Sequence, residues 1–179
     1  MRRVAMLLAL LLVCLARGAE AEPRQIALGP PSSEVDFRAY RLGILPLDGR
    51  FNHFTGWLSY DPDNRRYCEV RLTIDADSLA LEEPAIRAVV TGPAFLDVTH
   101  YPSLTYTGSC NGDQVSGALG MHGVTAPFPL SLTWSADGVQ AEGRLARAEW
   151  GMTALPLLAG RTIVIRVAIP LKMNSMARN

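Results

Sequence analysis

The sequence has few of the features on which catalysis, nucleic-acid binding or metal binding usually depends. Only 19% of its 179 residues are charged, with 17 basic against 17 acidic side chains, and it contains three histidines, three cysteines and a single lysine. Because the charges balance and no basic patch stands out, nucleic acid is not an expected partner. No pair of histidines has the close spacing of a metal-binding motif.

Catalytic signatures are missing as well. The sequence has no Gly-x-Ser-x-Gly element, and a nucleophile would need an activating partner. The segment Asp61-Pro-Asp-Asn64 lacks the spacing and the terminal glutamate of a calcium loop and is typical of a turn. The other candidate side chains fit turns, strand ends and solvated positions. They are His53, His100, His122, Asp75, Asp77 and Asp97. We therefore predict no catalytic residue, no metal site and no cofactor.

Long apolar runs are missing except at the start of the chain. Residues 4–16 form an unbroken apolar run of 13 residues after two arginines, and Ala19-x-Ala21 follows. This is the pattern of a secretory signal peptide, and the run is shorter than the roughly 20 residues that span a bilayer. We predict a cleaved signal peptide at residues 1–21 and a single domain at residues 22–179. An uncleaved anchor and lipidation of Cys14 are the alternatives.

The rest of the sequence has the two-residue periodicity of β-strands. In Cys68–Asp75 apolar residues alternate with polar or charged ones, so one side of the strand faces an apolar interior and the other faces water. The alternation recurs along the chain between turn signals such as Asn111-Gly112 and Asp137-Gly138. We predict eight strands, near residues 34–42, 50–60, 66–78, 103–110, 113–121, 126–135, 138–147 and 161–170.

The connections between these strands are mostly short, which favours a barrel. Eight antiparallel strands linked by hairpins predict an all-β, up-and-down barrel, whose interior either fills with side chains or holds one small ligand. The long connection at residues 79–102 contains Glu82-Glu-Pro84 and a short apolar stripe. It predicts a short helix across a barrel mouth, between the third and fourth strands, ended by Gly92-Pro93. A β-sandwich is the alternative fold.

Two cysteines, Cys68 and Cys110, follow the predicted signal peptide and suggest a disulfide. If the third and fourth strands pair antiparallel, the register that joins the two sulfurs also places Ile74 opposite Leu104. Both apolar faces then stay inside, as a register requires. The bond would close a loop of roughly 40 residues and stabilise the fold by at most about 4 kcal/mol. Two buried free thiols are the alternative.

The inward-facing positions of the clearest strands carry no charge. Small residues among them, Gly108, Gly117, Ala141 and Gly143, predict unfilled volume that a long apolar ligand could occupy. A solid core without a cavity is the alternative. The candidate ligand-binding residues are Phe37, Val70, Leu72, Ile74, Leu104, Tyr106, Leu119, Phe128, Leu130, Leu132, Trp134, Ile163 and Ile165.

Six ordered blocks of the sequence resemble the signature of the YceI-like family. They are Ser33-Glu-Val-Asp-Phe37, Gly49–Gly56, Ile74–Leu79, Phe95–Tyr106, Met121-His-Gly-Val-Thr125, and Arg147 with Trp150-Gly-Met152. Members of that family are lipocalin-like β-barrels that are exported from bacterial cells and hold polyisoprenoid lipids. The resemblance implies an eight-stranded lipocalin-like barrel, a periplasmic location, and an isoprenoid lipid or quinone tail as ligand.

The sequence departs from the family pattern at Leu119-Gly-Met-His-Gly123, at Ala126-Pro127 and in the apolar segment 153–160. These differences bear on the identity of the lipid rather than on the fold. Our first expectation is a non-enzymatic carrier or reservoir for an isoprenoid. The second is an envelope-stress or interaction scaffold, whose partner or second copy in a homodimer docks on the outward-facing Val164 and Ala168. The third is an enzyme that acts on a lipid held in the barrel.

Overall fold

The structure is a computed structural model that describes residues 23–61, 64 and 67–171. The predicted signal peptide, Cys14 and Asp63 lie outside these residues. Within them no helix has the length and apolar character needed to cross a membrane. The elements are β1 (Arg24–Leu28), β2 (Glu34–Arg41), β3 (Leu45–Phe51), β4 (Phe54–Tyr60), β5 (Cys68–Asp75), β6 (Leu79–Ala80), α1 (Pro84–Thr91), β7 (Ser103–Asn111), β8 (Gln114–Met121), β9 (Val124–Pro127), β10 (Leu130–Trp134), β11 (Gly138–Ala146) and β12 (Thr162–Pro170).

All twelve strands belong to one antiparallel sheet that curls into a half-barrel. Its order is β1-β4-β5-β7-β8-β10-β11-β12-β2-β3-β6, and β9 pairs with β8. The predicted all-β, antiparallel architecture is therefore confirmed. The predicted closed barrel of eight strands is wrong, because the described chain forms twelve strands in a sheet that curls into a half-barrel.

Turns separate β1 from β2 and β5 from β6. β1 and β2 are separated by a turn in which the Gly29 N–H donates to the Ser33 hydroxyl at 2.8 Å. β5 and β6 are separated by a 3-10 turn at Ala76–Ser78, which begins where the Asp75 carboxylate accepts a hydrogen bond from the Asp77 N–H at 3.0 Å. β1, which pairs with β4, was not predicted from the sequence.

Two further interruptions come from a corner and from proline. Between β3 and β4, Phe51 and Phe54 both point into the core although they are three residues apart, which requires a break in the two-residue alternation. Between β9 and β10, Phe128 still donates its N–H to the Gly117 carbonyl at 2.8 Å. Pro129 follows and has no N–H to continue the ladder.

The helix predicted in the long connection is present as α1. Pro84 occupies its first turn, where a missing N–H costs nothing. At its other end the Gly92 N–H donates to the Val89 carbonyl. Pro93 follows directly. The predicted start and end of the helix are therefore confirmed.

Cys68 and Cys110 form a disulfide, with Cα atoms 4.8 Å apart and a sequence separation of 42 residues. The ladder between β5 and β7 places Ile74 opposite Leu104, in the register that the cysteine pairing predicts. The prediction is confirmed because the covalent and the hydrophobic requirements select the same register.

The connection between β11 and β12 closes over the concave side of the sheet. Trp150, which is almost fully buried, donates its indole N–H to the Leu119 carbonyl at 3.0 Å. The His122 Nδ1 lies 3.0 Å from the Trp150 carbonyl. These contacts attach the connection, which begins with a 3-10 turn at Arg147–Trp150, to β8 and thereby to the core.

Candidate functional site

A central cavity of about 110 Å³ lies on the concave side of the sheet. Its walls come from eight of the strands, from α1, from the break between β9 and β10, and from the loops that follow α1 and β11. The Tyr106 hydroxyl is the one polar side-chain group among them. The lining residues are Val35, Phe37, Phe51, Leu72, Ile74, Val90, Phe95, Leu96, Leu104, Tyr106, Leu119, Met121, Phe128, Leu130, Leu145, Met152, Ile163, Ile165 and Val167.

An inner cavity of about 50 Å³ lies beside the central one, next to the disulfide. It is lined by Cys68 and by apolar residues of eight strands. The two cavities share four wall residues, which therefore form the partition between them. These are Leu72, Tyr106, Leu130 and Val167.

An outer cavity of about 210 Å³ lies on the other side of the central one. It is bounded by α1, by β2 and by residues 155–160. It also shares four wall residues with the central cavity but none with the inner cavity. The shared residues are Phe37, Val90, Phe95 and Ile163.

The last strand orders the three cavities in a row. Along β12, Ile163 lines the outer and central cavities, Ile165 the central one, Val167 the central and inner ones, and Ile169 the inner one. From Ile163 to Ile169 the strand advances about 20 Å at its usual rise per residue. The interior is thus an interrupted apolar channel along the strand direction.

The thirteen candidate residues from the sequence all lie on the walls of these cavities. Ten line the central cavity, and the other three, Val70, Leu132 and Trp134, line the inner one. The structure brings them together because they share the inward-facing parity of neighbouring strands. Contact with a ligand stays a prediction for each of them.

Nine residues of the central cavity were not among the candidates. Val35 and Leu145 follow the strand alternation, so the sequence contained a signal for them. Phe95, Leu96 and Met152 lie on loops, where no periodicity marks the inward side. The remaining four are Phe51, Val90, Met121 and Val167.

The inward glycines do not create the empty space, contrary to the expectation from the sequence. A Cβ placed on Gly143 would lie 2.5 Å from Phe128 Cζ and 2.6 Å from Leu130 Cδ2. Side chains also fill the space over Gly108, from Val115, and over Gly117, from Tyr106. These glycines make room for large neighbours, and the cavities lie elsewhere.

Tyr106 is buried in the partition between the central and inner cavities. Its hydroxyl donates a hydrogen bond to the Phe128 carbonyl at 3.1 Å. Burial raises the pKa of the Tyr106 phenol well above its ordinary value, because the charged form would lose its hydration. The group therefore stays neutral, and the cavity walls remain without charge at this point.

Arg147 is the buried charged group of the site, with 4% of its surface exposed. Its guanidinium donates to the backbone carbonyls of Gly160, Met152 and Ala159, and its Cζ lies 5.6 Å from the centre of the Phe95 ring. Burial lowers the pKa of Arg147 through loss of hydration. The side chain holds the loop after β11 against the outer cavity.

The candidate metal ligands and the outer face of β12 have other roles. No group of three potential metal-ligating side chains occurs among the residues that the structure describes. The His100 Nδ1 lies 2.9 Å from the Asp97 carboxylate. His53 is exposed, and its Nδ1 lies 4.0 Å from Asp75 Oδ2. Val164, which the sequence suggested as part of a docking surface, is only 9% exposed, between its ladder partners from β2 and β11.

Comparisons with known proteins agree on one family. The family model of the YceI-like domain matches residues 27–174. A UPF0312 protein of Vibrio cholerae is 28% identical over 131 residues, which cover 70% of this chain and 69% of that protein. A UPF0312 protein of Pectobacterium carotovorum is 29% identical over 134 residues, covering 66% of this chain and 70% of its own length.

Solved structures share the fold. BcnA of Burkholderia cenocepacia superimposes with a TM-score of 0.65 at 19% identity, covering 78% of this chain and 96% of its own. A polyisoprenoid binding domain from Saccharophagus degradans, described as implicated in plant cell wall breakdown, gives a TM-score of 0.59 at 16% identity, with coverage of 79% and 94%. At these identities the likeness concerns the fold alone.

Proposed function

The chain belongs to the YceI-like family, whose domain spans residues 27–174, and on this basis we propose that it binds the tail of a long-chain isoprenoid lipid without chemically changing it. The protein would act as a carrier or reservoir in the periplasm, for a polyprenyl lipid or a quinone. The observation that carries the proposal is the row of three cavities along β12, of which the central and inner ones have apolar walls.

The shape and chemistry of the row suit a tail better than a compact ligand. The central and inner cavities have apolar walls apart from the Tyr106 hydroxyl, which is already hydrogen-bonded to the Phe128 carbonyl. A ligand there finds no charge to pair with and gains affinity by removing its own apolar surface from water. Burial of roughly 400 Å² contributes about 10 kcal/mol, from which the cost of ordering the chain is subtracted.

A tail that occupies all three cavities must displace the side chains that separate them. Val90 and Phe95 divide the outer from the central cavity, and both belong to α1 or to the loop after it rather than to the sheet. Such segments move more readily than central strands, because fewer ladder hydrogen bonds hold them. A ligand can therefore enter the central cavity from the outer one by displacing Val90 and Phe95, while Phe37 and Ile163 keep their places on the sheet.

The Saccharophagus degradans neighbour, a polyisoprenoid binding domain, supports the choice of ligand class. The alternative of a docking scaffold receives less support, since Val164 is buried within this chain and Ala168 is half-buried. A tail-binding function depends only on the interior that the described residues form.

The direct test is recovery of lipid from protein purified natively from the cell envelope. Native mass spectrometry should detect a bound prenyl lipid. The lipid extracted from the protein should have the same mass as a prenyl lipid extracted from the cell envelope itself, which would show that it has not been chemically changed. Ile165→Trp fills the central cavity and should abolish this recovery. Thr162→Trp introduces the same side chain at an exposed position of β12 and should leave it unchanged.

Two results would contradict the proposal. One is a folded wild-type protein that carries no lipid and takes none from vesicles containing a prenyl lipid. The other is equal lipid recovery from the two tryptophan variants. A chemically altered lipid would instead favour the enzymatic alternative.

A further inference from the structure

The outer cavity differs from the other two in having arginine in its walls. Arg41 from β2 and Arg147, just after β11, line it together with apolar residues of α1 and of the loop after β11. None of its lining residues is acidic. It lies at the end of the row of cavities, where the polar end of a tail-bound ligand would be found.

Arg147 brings a positive charge that no carboxylate compensates in the described part of the chain. Its hydrogen bonds go to three neutral carbonyls, those of Gly160, Met152 and Ala159. They use three of the five N–H donors of a guanidinium, a group that stays protonated in proteins. A buried charge without a counterion attracts an anion strongly, because little water screens the interaction.

Arg41 brings a second guanidinium with an unsatisfied donor. Its Nη2 lies 3.0 Å from Glu83 Oε1. Its Nε is buried and has no hydrogen-bond partner among the described residues. A buried donor without a partner is costly, and an acceptor oxygen in the outer cavity would satisfy it.

The charged groups around the outer cavity leave it with a net positive charge. Arg41 and Arg147 carry two positive charges, and Glu83, paired with Arg41, carries one negative charge. The net charge of about one positive unit favours an anionic head group over a neutral one. A guanidinium offers parallel N–H donors that match the oxygens of a phosphate.

We propose that the outer cavity binds the phosphate of a prenyl phosphate, with Arg41 and Arg147 as its ligands and the tail in the central cavity. The proposal rests on the proposed function, because the tail must lie in the central cavity to bring the phosphate to the arginines. It gives the protein a preference for anionic over neutral prenyl lipids.

The test compares two probes with the same tail, geranylgeranyl monophosphate and geranylgeraniol. Their dissociation constants are measured by titration with the full exported protein. The wild type should bind the phosphate about tenfold more tightly than the alcohol, since hydrogen bonds to charged groups contribute that much. Arg41→Gln should remove most of this difference, because it should weaken binding of the phosphate about tenfold more than binding of the alcohol.

Two further variants separate the head-group contact from general effects of charge or stability. Arg38→Gln is the matched control, because Arg38 lies on the same strand and is paired with Asp48 at 2.6 Å, on the outer face. It should keep the full preference. Glu83→Gln removes the carboxylate that competes for Arg41 and should strengthen phosphate binding several-fold without affecting the alcohol.

The outcomes distinguish this proposal from the tail-binding function. Equal affinity for the two probes, or an equal loss in Arg41→Gln and Arg38→Gln, overturns the phosphate site while tail binding stands. Tighter binding of a neutral quinone with a tail of the same length overturns it as well. If the folded wild type binds neither probe, the tail-binding function fails together with the phosphate site.

Discussion

The hydroxyl of Tyr106 donates to the backbone carbonyl of Phe128 at 3.1 Å, and the two rings meet edge to face with centroids 6.3 Å apart. Phe128 in turn meets Trp150 edge to face at 6.2 Å. The three rings connect β7, the break between β9 and β10, and the turn after β11. They fix one side of the partition between the central and inner cavities.

Tyr106→Phe should reduce the free energy of unfolding by about 1–3 kcal/mol, because the Phe128 carbonyl loses its side-chain donor in the interior. The measurement is urea unfolding at neutral pH. Tyr67→Phe removes the hydroxyl of an exposed tyrosine and should change the midpoint little. Equal midpoints for the two variants would show that the buried hydrogen bond contributes nothing.

The same tyrosine should make the fold sensitive to alkali. Since the pKa of Tyr106 is raised by burial, the folded protein holds its proton at a pH where the unfolded chain, with a pKa of about 10, releases it. The stability that depends on this group is therefore complete below pH about 10 and declines as the pH rises towards the folded-state pKa, by up to about 1.4 kcal/mol per pH unit. Unfolding measured between pH 9 and about 11 should show a smaller decline in Tyr106→Phe.

Gly143→Ala should destabilise the protein by about 1–3 kcal/mol through overpacking. The added Cβ would lie 2.5 Å from Phe128 Cζ and 2.6 Å from Leu130 Cδ2, so both side chains must shift. Gln140→Ala, at an exposed position of the same strand, is the control for strand propensity and should have a much smaller effect. Thermal unfolding measures both. An unchanged melting temperature in Gly143→Ala would contradict the prediction and would mean that the Phe128 and Leu130 side chains shift into the neighbouring cavities without cost.

Reduction of the Cys68–Cys110 disulfide should lower the free energy of unfolding by up to about 4 kcal/mol. The two cysteines are 42 residues apart in the sequence, and without the bond the unfolded chain gains the conformational freedom of that loop. Unfolding is compared with and without reductant. The double variant Cys68→Ala/Cys110→Ala should unfold like the reduced wild type and should not respond to reductant. A wild type with the same midpoint in both conditions would contradict the expected contribution.

The register of the central ladder could be predicted from the sequence because two independent constraints agree. The apolar residues of β5 and β7 must face inward together, and Cys68 must lie opposite Cys110. A shift by one residue would violate both requirements. The inward parity also identified most strand residues of the central cavity, since alternation reports the side of a strand directly.

The interruptions and the loop contributions could not be predicted in the same way. The break between β3 and β4 leaves a weak sign in the sequence, because Phe51 and Phe54 are three residues apart and both are apolar. The 3-10 turn after β5 leaves none, because an aspartate such as Asp75 is also common where a strand simply ends. Phe95 and Met152 reach the cavity because their loops fold over the sheet. That placement depends on contacts with distant strands, such as the bond from Trp150 to Leu119, and has no period in the sequence.

The Cys68–Cys110 disulfide lies beside the inner cavity. The outer cavity, at the other end of the row, is bounded by β2, by α1 and by the loop after β11, and no disulfide lines it. We therefore expect backbone motion to be smaller around the inner cavity than around the outer one, because helices and loops open more readily than cross-linked strands. If a lipid binds as proposed, it would enter at the outer cavity, and the disulfide-linked strands would limit how deep its tail can reach.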